Sequence, residues 1–386
     1  MRPHYILFGA AFTVAVAMAL GRILLRWTGA PLDRREAHAL AFPLGAAMLS
    51  VLNFAICASQ MAFKGVFLAV GVAILFAARR PPLYAEPPAV GLPKFWRFLF
   101  VAGFSVFIVI CFLHAMAPEM SPDGSTYHLS LTARTLRHHG FERITWNMYA
   151  ALPQGVEMLF LEAFAFGRHS AAALVHLAFL VALVVLLLLF GRRAGQPVAG
   201  ACAALLVMAS PMAGIDGASA YIDVAAATAA FSLFYLLEIW DSDKRPRWLP
   251  AIGLMAGYCF AAKYTLATAI PYALLRVAWK RWRAALPVAA AVAVVALPWV
   301  VKNWIWLDNP LAPFFNQIFQ NRYITISFEK EYVEYFRSYW FSSPWRVLWD
   351  VTVRGTLSGL LGPVFLLAPV GLAALRWRLG RARPCW

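Results

Sequence analysis

Residues 97–117, RFLFVAGFSVFIVICFLHAMA, are apolar and long enough to cross a bilayer as one helix, for which about 20 residues suffice. The next stretch, residues 117–150, reads APEMSPDGSTYHLSLTARTLRHHGFERITWNMYA and is the first long polar passage of the chain. This change in polarity predicts a loop that leaves the membrane. Asp123, between Pro122 and Gly124, places a carboxylate just outside the helix, where a membrane enzyme could keep an acid or a base.

The composition predicts a polytopic membrane protein. Of the 386 residues, 62% are hydrophobic and 13% are charged, whereas soluble domains contain about 25% charged residues. The formal net charge is +16, but the Lys and Arg residues occupy short connectors between apolar runs, as topology signals do. A nucleic-acid-binding protein should instead present a basic face on a folded soluble domain. We therefore expect no nucleic-acid partner.

The cysteines stand singly and predict neither a disulfide framework nor a zinc site. No HxxxH or HExxH spacing indicates a metal centre, so we assign no metal-ligating residue. The five cysteines are Cys57, Cys111, Cys202, Cys259 and Cys385.

Hydropathy predicts an all-α bundle with about eleven membrane crossings. Lys263 interrupts the pair at 248–278, and each half of that pair is short. The chain is interpreted as one domain, 1–386, with N-terminal helices in 1–96 and a catalytic core in 97–376. The predicted spans are 5–25, 38–58, 62–79, 97–117, 171–190, 197–214, 219–240, 248–262, 264–278, 284–302 and 356–375.

The basic connectors predict the orientation. With the N-terminus outside, all the basic groups fall in the cytoplasm, as the positive-inside rule requires; they begin at Arg22, Arg79, Arg192, Lys244, Arg276 and Arg376. The Asp123 loop, the turns at Asp216 and Lys263, and residues 303–350 then lie outside. Because the inner connectors are short and carry no GxxxxGK[ST] or Rossmann fingerprint, any chemistry must occur on the outer face without a nucleotide.

Two short helices are predicted in and after the first outer loop. Residues 125–139 have an amphipathic, partly basic pattern typical of a helix on the membrane surface. Residues 152–167 are apolar but short, which favours a second interfacial or re-entrant helix. The aromatic-rich outer segment 303–350 is too small for a separate soluble domain.

Asp123 is the first candidate for chemistry, as a base or an acid. The alternative is that Pro122–Gly124 is a turn whose Asp caps the following helix. Tyr127 and His128 follow as candidate substrate-binding residues. His128 lies five residues from Asp123, which is not a one-face helical spacing, so an Asp–His dyad has little support.

The remaining candidates are one acid and four cations predicted on the outer face. Asp223 begins an apolar span, where an ionisable group usually faces a cavity or a partner; the alternative is a favourable interaction with the helix dipole. Lys263 and Lys302 suggest a phosphate site at membrane depth, with snorkelling to lipid headgroups as the alternative. Arg143 and Arg322 are further candidates for the same site.

Six segments, taken in order, resemble the GT-C superfamily of membrane glycosyltransferases, especially bacterial dolichyl-phosphate-mannose mannosyltransferase-like and aminoarabinose transferase-like members. The resemblance covers roughly residues 100–375. The segments are SPDGSTYHLSLTARTLRHHGF, ALPQGVEMLFLEAFAFG, ASPMAGIDGASAYIDVAAA, GLMAGYCFAAKYTLA, VVKNWIWLDNPLAPFFNQIF and LLGPVFLLAPVGLAAL.

The resemblance implies transfer of a sugar from a polyprenyl-phosphate carrier to a hydroxyl of a lipid, glycan or protein acceptor. Asp123 would be the general base, Asp223 would shape the site, and Lys263 and Lys302 would hold the departing carrier phosphate. It also implies a bacterial inner membrane and a site facing the periplasm.

The chain departs from the family pattern at the loop, where the family often carries an acid pair. The next acid after Asp123 is Glu142, and either Glu142 or Glu157 could be the second acid. A divalent cation therefore stays open as a cofactor.

Two other classes of function compete with an enzyme. One is a transporter or flippase for a lipid-linked or anionic substrate, which should depend more on Asp223 than on Asp123. The other is a non-catalytic partner in an envelope complex, in which no single acid would matter.

Overall fold

The fold is known from a computed structural model, which describes residues 2–29, 32–80, 82, 84–85, 91–337, 343–355 and 360–367. Over these residues the chain is an α-helical bundle with one two-residue parallel strand pair, β1 (Leu32–Asp33) beside β2 (Tyr84–Ala85). The helices are α1 Pro3–Thr28, α2 Arg34–Ala58, α3 Lys64–Ala77, α4 Lys94–Met116, α5 Leu129–Arg137, α6 Glu157–Arg193, α7 Pro197–Ala209, α8 Pro211–Gly217, α9 Asp223–Asp243, α10 Leu249–Ala262, α11 Ala269–Lys280, α12 Ala285–Leu307, α13 Phe328–Arg337 and α14 Pro344–Trp349.

The membrane-bundle prediction is confirmed, but the count of about eleven crossings is not. Within the described residues, six helices are long and apolar enough to cross a membrane, or seven if the bent pair α7–α8 counts as one span. The helices predicted at 62–79, 248–262 and 264–278 have only 14, 14 and 12 residues, which is short of the roughly 20 needed. Of the predicted span 356–375, only residues 360–367 belong to the described part of the chain.

Proline explains the break between α7 and α8. The residue before a proline is driven out of the helical region, and Ser210, before Pro211, has an extended ψ of 121°. The two helices meet at 69°. The sequence expectation of one straight span over 197–214 therefore missed a bend that Pro211 imposes.

Helix α6 joins two segments that the sequence separated. Its 37 residues contain a kink at Arg168, with φ 61° and ψ −151°, between the short helix predicted at 152–167 and the span predicted at 171–190. The first arm is buried in the bundle, since Leu159, Phe160 and Leu161 have no exposed surface. This arm therefore packs inside the bundle, and its interfacial or re-entrant position stays a prediction.

Small residues bring α1 and α2 together. Ala17 and Gly21 on α1 face Ala41 and Gly45 on α2, and each pair has the four-residue spacing that lets membrane helices approach closely. A Cβ added to Gly45 would lie 1.6 Å from the Ala17 carbonyl oxygen, and one added to Gly21 would lie 1.8 Å from that of Ala41. Both helices also pack on α6, so this contact lies in the main core.

Replacing Gly45 with valine should destabilise the protein by about 1–3 kcal/mol or more, because overpacking a close contact forces backbone shifts. The thermal unfolding midpoint in detergent measures the effect. Gly65→Val is the matched control, since nothing lies within 4 Å of a Cβ at Gly65. Equal midpoints for the two variants would contradict the helix contact described above.

Candidate active site

The loop that follows α4 is tied to two other parts of the bundle. The Ser170 hydroxyl donates to the carbonyl oxygens of Met116 at 3.2 Å and Ala117 at 3.0 Å. One carboxylate oxygen of Glu119 accepts from the Ser121 amide at 2.8 Å and the other from the Ala220 amide at 2.5 Å. The polar loop therefore leaves the end of α4 in a defined direction, toward the turn before α9.

Glu119 is a site residue that sequence reasoning missed, because the search for a second acid looked only beyond Asp123. The signal was its position four residues before Asp123. Gly124 permits the arrangement, since a Cβ there would lie 2.4 Å from the Ser121 hydroxyl and 2.8 Å from the Glu119 carboxyl carbon. Glu119 thus packs against Gly124, the residue that follows Asp123.

Asp123 does not cap a helix in the structure. The chain is already helical at Pro122, continues through a π-helical turn, Gly124–His128, and enters α5. The Asp123 side chain makes no capping hydrogen bond and is exposed. Its carboxylate instead lies beside Tyr127, close enough for its charge to contribute to the raised pKa of that tyrosine, so the capping alternative is not supported.

Three tyrosines surround Asp123. The rings of Tyr127 and Tyr149 stack with centroids 3.9 Å apart and planes 4° apart, and Tyr221 is a third neighbour of Asp123. Burial, followed by the charge of Asp123, raises the pKa of Tyr127 and of Tyr149. Burial likewise raises the pKa of Tyr221. All three hydroxyls therefore stay protonated and can donate to an anion at neutral pH.

His128 faces away from Asp123. It is buried, and its Nδ1 lies 2.7 Å from a carboxylate oxygen of Glu157, with 3% and 8% of the two side chains exposed. The Glu157 Oε2 atom and the Tyr258 hydroxyl are both buried without a hydrogen-bond partner. The structure thus pairs His128 with Glu157 beneath the loop, and it does not bring His128 to the surface where Asp123 lies.

Glu142, the other candidate for the second acid, is held by Arg134. The guanidinium donates two hydrogen bonds, from Nε at 2.8 Å and from Nη2 at 2.9 Å, and His138 lies 3.3 Å away. The hydrogen bond from Arg134 lowers the pKa of Glu142. This carboxylate is therefore engaged in stabilising the loop after α5.

The N-terminus of α9 is capped from other elements. Asp216 Oδ2 accepts from the Val224 amide at 2.8 Å, and His176 Nε2 accepts from the Ala225 amide at 3.1 Å. Two of the amides that a helix start leaves unsatisfied thereby find partners. Asp223, the first residue of α9, is left free to point elsewhere.

Asp223 forms an ion pair with Lys263, so the structure brings these two predicted site residues together. Both side chains keep solvent access, with 55% of Asp223 and 37% of Lys263 exposed. Tyr221, which contacts Asp123, lies two residues before Asp223, so their Cα atoms are at most about 7 Å apart. The ion pair is therefore a neighbour of the Asp123 cluster.

Lys302 occupies an aromatic cage. Its ammonium lies 5.4, 5.0 and 5.9 Å from the ring centroids of Phe141, Trp299 and Trp306. It also donates to the Ala150 carbonyl at 3.1 Å. Cation–π attraction stabilises a lysine in such a place. Because Ala150 follows Tyr149, Lys302 adjoins the tyrosine side of the cluster.

Arg143 and Arg322 meet at one aromatic ring. Each guanidinium carbon lies 5.5 Å from the centroid of Tyr323. Both arginines are exposed, and neither forms an ion pair with a carboxylate within the ranges that the structure describes. Tyr323 packs beside Ala151, so the two cations lie near the Lys302 cage.

The outer segment after α12 is ordered by asparagines. Asn309 donates to the Phe314 carbonyl at 2.9 Å and to Asn316 at 3.1 Å, and Asn303 donates to the Ala151 carbonyl at 2.6 Å. Helix α13 is tied to this segment by the Glu329 carboxylate, which accepts from the Phe315 amide, and its Tyr332 lies close enough to Tyr149 to contribute to the raised pKa of Tyr149. Part of the predicted loop, residues 338–342, lies outside the described residues.

The structure therefore gathers the predicted site residues into two adjoining groups. Asp123 and Tyr127 form one group with Tyr149 and Tyr221, beside the Asp223–Lys263 pair. Lys302, Arg143 and Arg322 form the other, around residues 149–151. His128 is the exception, because it is buried below. No group of three or more metal-ligating side chains occurs in the described part of the chain.

One comparison with known proteins gives a match. Residues 156–306 match the family model described as dolichyl-phosphate-mannose-protein mannosyltransferase. This match supports a GT-C type glycosyltransferase and confirms the resemblance seen in the sequence. Together with the apolar helices it supports a multi-pass membrane glycosyltransferase of mannosyltransferase-like type.

The matched region contains Asp223, Lys263 and Lys302, while Asp123 precedes it. No curated protein and no solved structure gives a significant match.

Glu157→Gln should destabilise the protein by about 1–3 kcal/mol, because the buried His128 loses its hydrogen bond to the Glu157 carboxyl group. Glu142→Gln is the matched control and should cost at most about 1 kcal/mol, as is usual for an exposed pair. Thermal unfolding in detergent compares the two. A larger loss for Glu142→Gln would contradict the assignment of Glu157 as the structural acid.

Proposed function

We propose that this protein transfers a sugar from a polyprenyl-phosphate carrier to an acceptor hydroxyl, with Asp123 as the general base. The observation that carries the proposal is the exposed Asp123 carboxylate, which lies beside Tyr127 and next to the Asp223–Lys263 pair. The family match supports the reaction class. The acceptor is a lipid, a glycan or a protein.

In the proposed reaction, Asp123 takes the proton of the acceptor hydroxyl as its oxygen attacks the anomeric carbon of the sugar. The bond between that carbon and the phosphate oxygen breaks, and the carrier phosphate leaves with the electron pair. Asp123 suits the role because it caps no helix and keeps access to solvent. Tyr127 lies beside the carboxylate, and its protonated hydroxyl is placed to orient the base.

The cations stabilise the leaving phosphate in this proposal. Lys263 is held beside the three tyrosines by its ion pair with Asp223. The protonated hydroxyls of Tyr149 and Tyr221 are further donors to an anion. Lys302 adds positive charge at Ala150. Donors arranged in advance around developing charge supply a large part of catalysis in partly dry sites.

Arg143 and Arg322 suit a role in binding rather than in chemistry. They share Tyr323, carry no acidic partner within the described residues, and adjoin the Lys302 cage. A lipid-linked sugar phosphate that arrives from the membrane would meet these arginines at the edge of the cluster. Arginine is suited to phosphate because its fork can donate two parallel hydrogen bonds.

The proposed setting is the outer face of a bacterial inner membrane. The basic connectors predict that face for the Asp123 loop, and the loop lies at the C-terminal end of α4, opposite to Lys94 and Arg97. A lipid carrier brings its sugar already activated, so a site on that face requires no nucleotide. Whether a divalent cation takes part is decided by adding a chelator to the assay below.

Asp123→Asn should lower kcat by about 10²–10⁴, the usual contribution of a general base. The measurement is sugar transfer from a polyprenyl-phosphate donor by the full chain in liposomes. Asp308→Asn is the matched control, since Asp308 is an exposed acid that follows α12 and lies in the left-handed region that asparagine tolerates. Full activity of Asp123→Asn would exclude this mechanism.

Lys263→Met should raise KM for the lipid-linked donor about tenfold, because one charge-assisted contact to phosphate is lost. Lys330→Met is the control, as Lys330 is 79% exposed and pairs only with Glu334 at 3.9 Å. Steady-state kinetics separates KM from kcat. An unchanged KM for Lys263→Met would remove Lys263 from the phosphate site.

The same variants test the transporter or flippase alternative. A transporter would keep its flux in Asp123→Asn and lose it in Asp223→Asn, whereas the proposed transferase loses product formation in Asp123→Asn. A fluorescent lipid-linked substrate in the same liposomes reports flux independently of sugar transfer.

A further inference from the structure

A long apolar groove runs between α1, α2, α4 and α6. Its volume is about 1170 Å³, which exceeds the roughly 300–1,000 Å³ of pockets for drug-sized ligands. Most of its wall is aliphatic or aromatic, including Phe100 and Ile108 of α4 and Val181 and Val185 of α6. A groove of this kind fits hydrocarbon chains.

Four arginines line one end of the groove, and we name them the arginine end. They come from the start of α2, the start of α4 and the last turn of α6: Arg34, Arg35, Arg97 and Arg192. On α4, the lining residue farthest from Arg97 is Phe112, which lies fifteen residues later, or about 22 Å along the helix. The groove therefore has one charged end and one apolar end.

The charged end lies opposite to the candidate active site. Leu174, at the apolar end, is one turn beyond Ser170, and Ser170 bonds the carbonyls of Met116 and Ala117 where the polar loop begins. The basic connectors place the arginine end on the predicted cytoplasmic side. A phosphate bound there cannot take part in a reaction at Asp123.

The arginine end carries positive charge that the protein itself does not neutralise. None of its four residues forms an ion pair in the described part of the chain, and the Arg192 Nε atom is buried without a hydrogen-bond partner. The nearest acid on α2, Glu36, is already bonded by Arg193 and Tyr235. The other buried acid there, Asp33, also forms no ion pair among the described residues.

Other basic residues at the same end of the bundle are neutralised. Asp241 receives hydrogen bonds from Arg276, Lys280 and Lys244. A role as topology signals explains why basic residues occur on this side. It does not explain why four unpaired arginines converge on one apolar groove.

We propose that the groove binds one anionic phospholipid, with its phosphate at the arginine end and its acyl chains along α4 and α6. Basic pockets between membrane helices on the cytoplasmic side suit anionic headgroups, and guanidinium groups match phosphate geometry. The lipid is distinct from the sugar carrier, whose phosphate must reach Asp123. Bound there, it joins α4, which is otherwise little covered by the protein, to α6.

The test uses the full chain, purified in detergent and stripped of lipid, titrated with phosphatidylglycerol or phosphatidylcholine and measured by native mass spectrometry. The wild type should retain one phosphatidylglycerol and bind phosphatidylcholine about tenfold or more weakly. Arg97→Gln/Arg192→Gln should weaken phosphatidylglycerol binding about tenfold or more. Added salt should weaken the binding of phosphatidylglycerol by the wild type.

Arg281→Gln/Arg283→Gln is the matched control, because it removes two arginines from the same predicted side but outside the groove. Ala178→Trp, which fills the wall on α6, should abolish binding with the arginines intact. Equal binding of the two lipids would overturn the proposal, as would an Arg97→Gln/Arg192→Gln variant that binds like the wild type. Displacement of phosphatidylglycerol by a polyprenyl phosphate at equal concentration would overturn it too, by showing a groove for the carrier.

Discussion

The clamp made by Glu119 is the interaction on which the candidate site depends. Its two carboxylate oxygens accept amides of Ser121 and Ala220, which are 99 residues apart in the chain (220 − 121). Buried or half-buried amides need such partners, and here one side chain satisfies two segments at once. The clamp brings Asp123, in the first segment, to Tyr221, in the second.

The start of α9 shows how capping and chemistry are divided among acids. A helix that begins with an aspartate commonly uses it against its own amides or dipole. Here Asp216 and His176 take the amides of Val224 and Ala225. Asp223 is therefore available to hold Lys263 where both keep access to solvent.

The basic residues at the two ends of the bundle have different partners. At the Asp123 end, Lys263 pairs with the exposed Asp223, and Lys302 lies among aromatic rings. At the other end, one set of basic residues is tied to Asp241, while the arginine end faces an apolar groove. This contrast agrees with our two proposals, in which the Asp123 end binds the phosphate of the sugar carrier and the arginine end binds the phosphate of a phospholipid.

Much of the fold could be predicted because membrane-spanning helices need long apolar runs, and such runs are visible in sequence. The runs at α1, α2, α4 and α12 are of this kind. The sequence also predicted membrane spans at the shorter helices α3, α10 and α11, and these three spans are not confirmed. Apolar composition does not show where a helix ends, as α10 does just before Lys263. The first arm of α6 was interpreted as an interfacial or re-entrant helix because it is short and carries acids, whereas Glu162 accepts a hydrogen bond from Asn53 inside the bundle.

For the candidate site, the sequence by itself determined which residues carry charge in a mostly apolar chain: Asp123, Asp223, Lys263 and Lys302. Only the tertiary structure decided their partners. In the structure, Asp223 forms an ion pair with Lys263, and His128 contacts Glu157. Glu119 links the Asp123 loop to the turn before α9. The reason is physical. Composition and helical periodicity show whether a segment is apolar, but hydrogen bonds and ion pairs depend on which distant segments pack together.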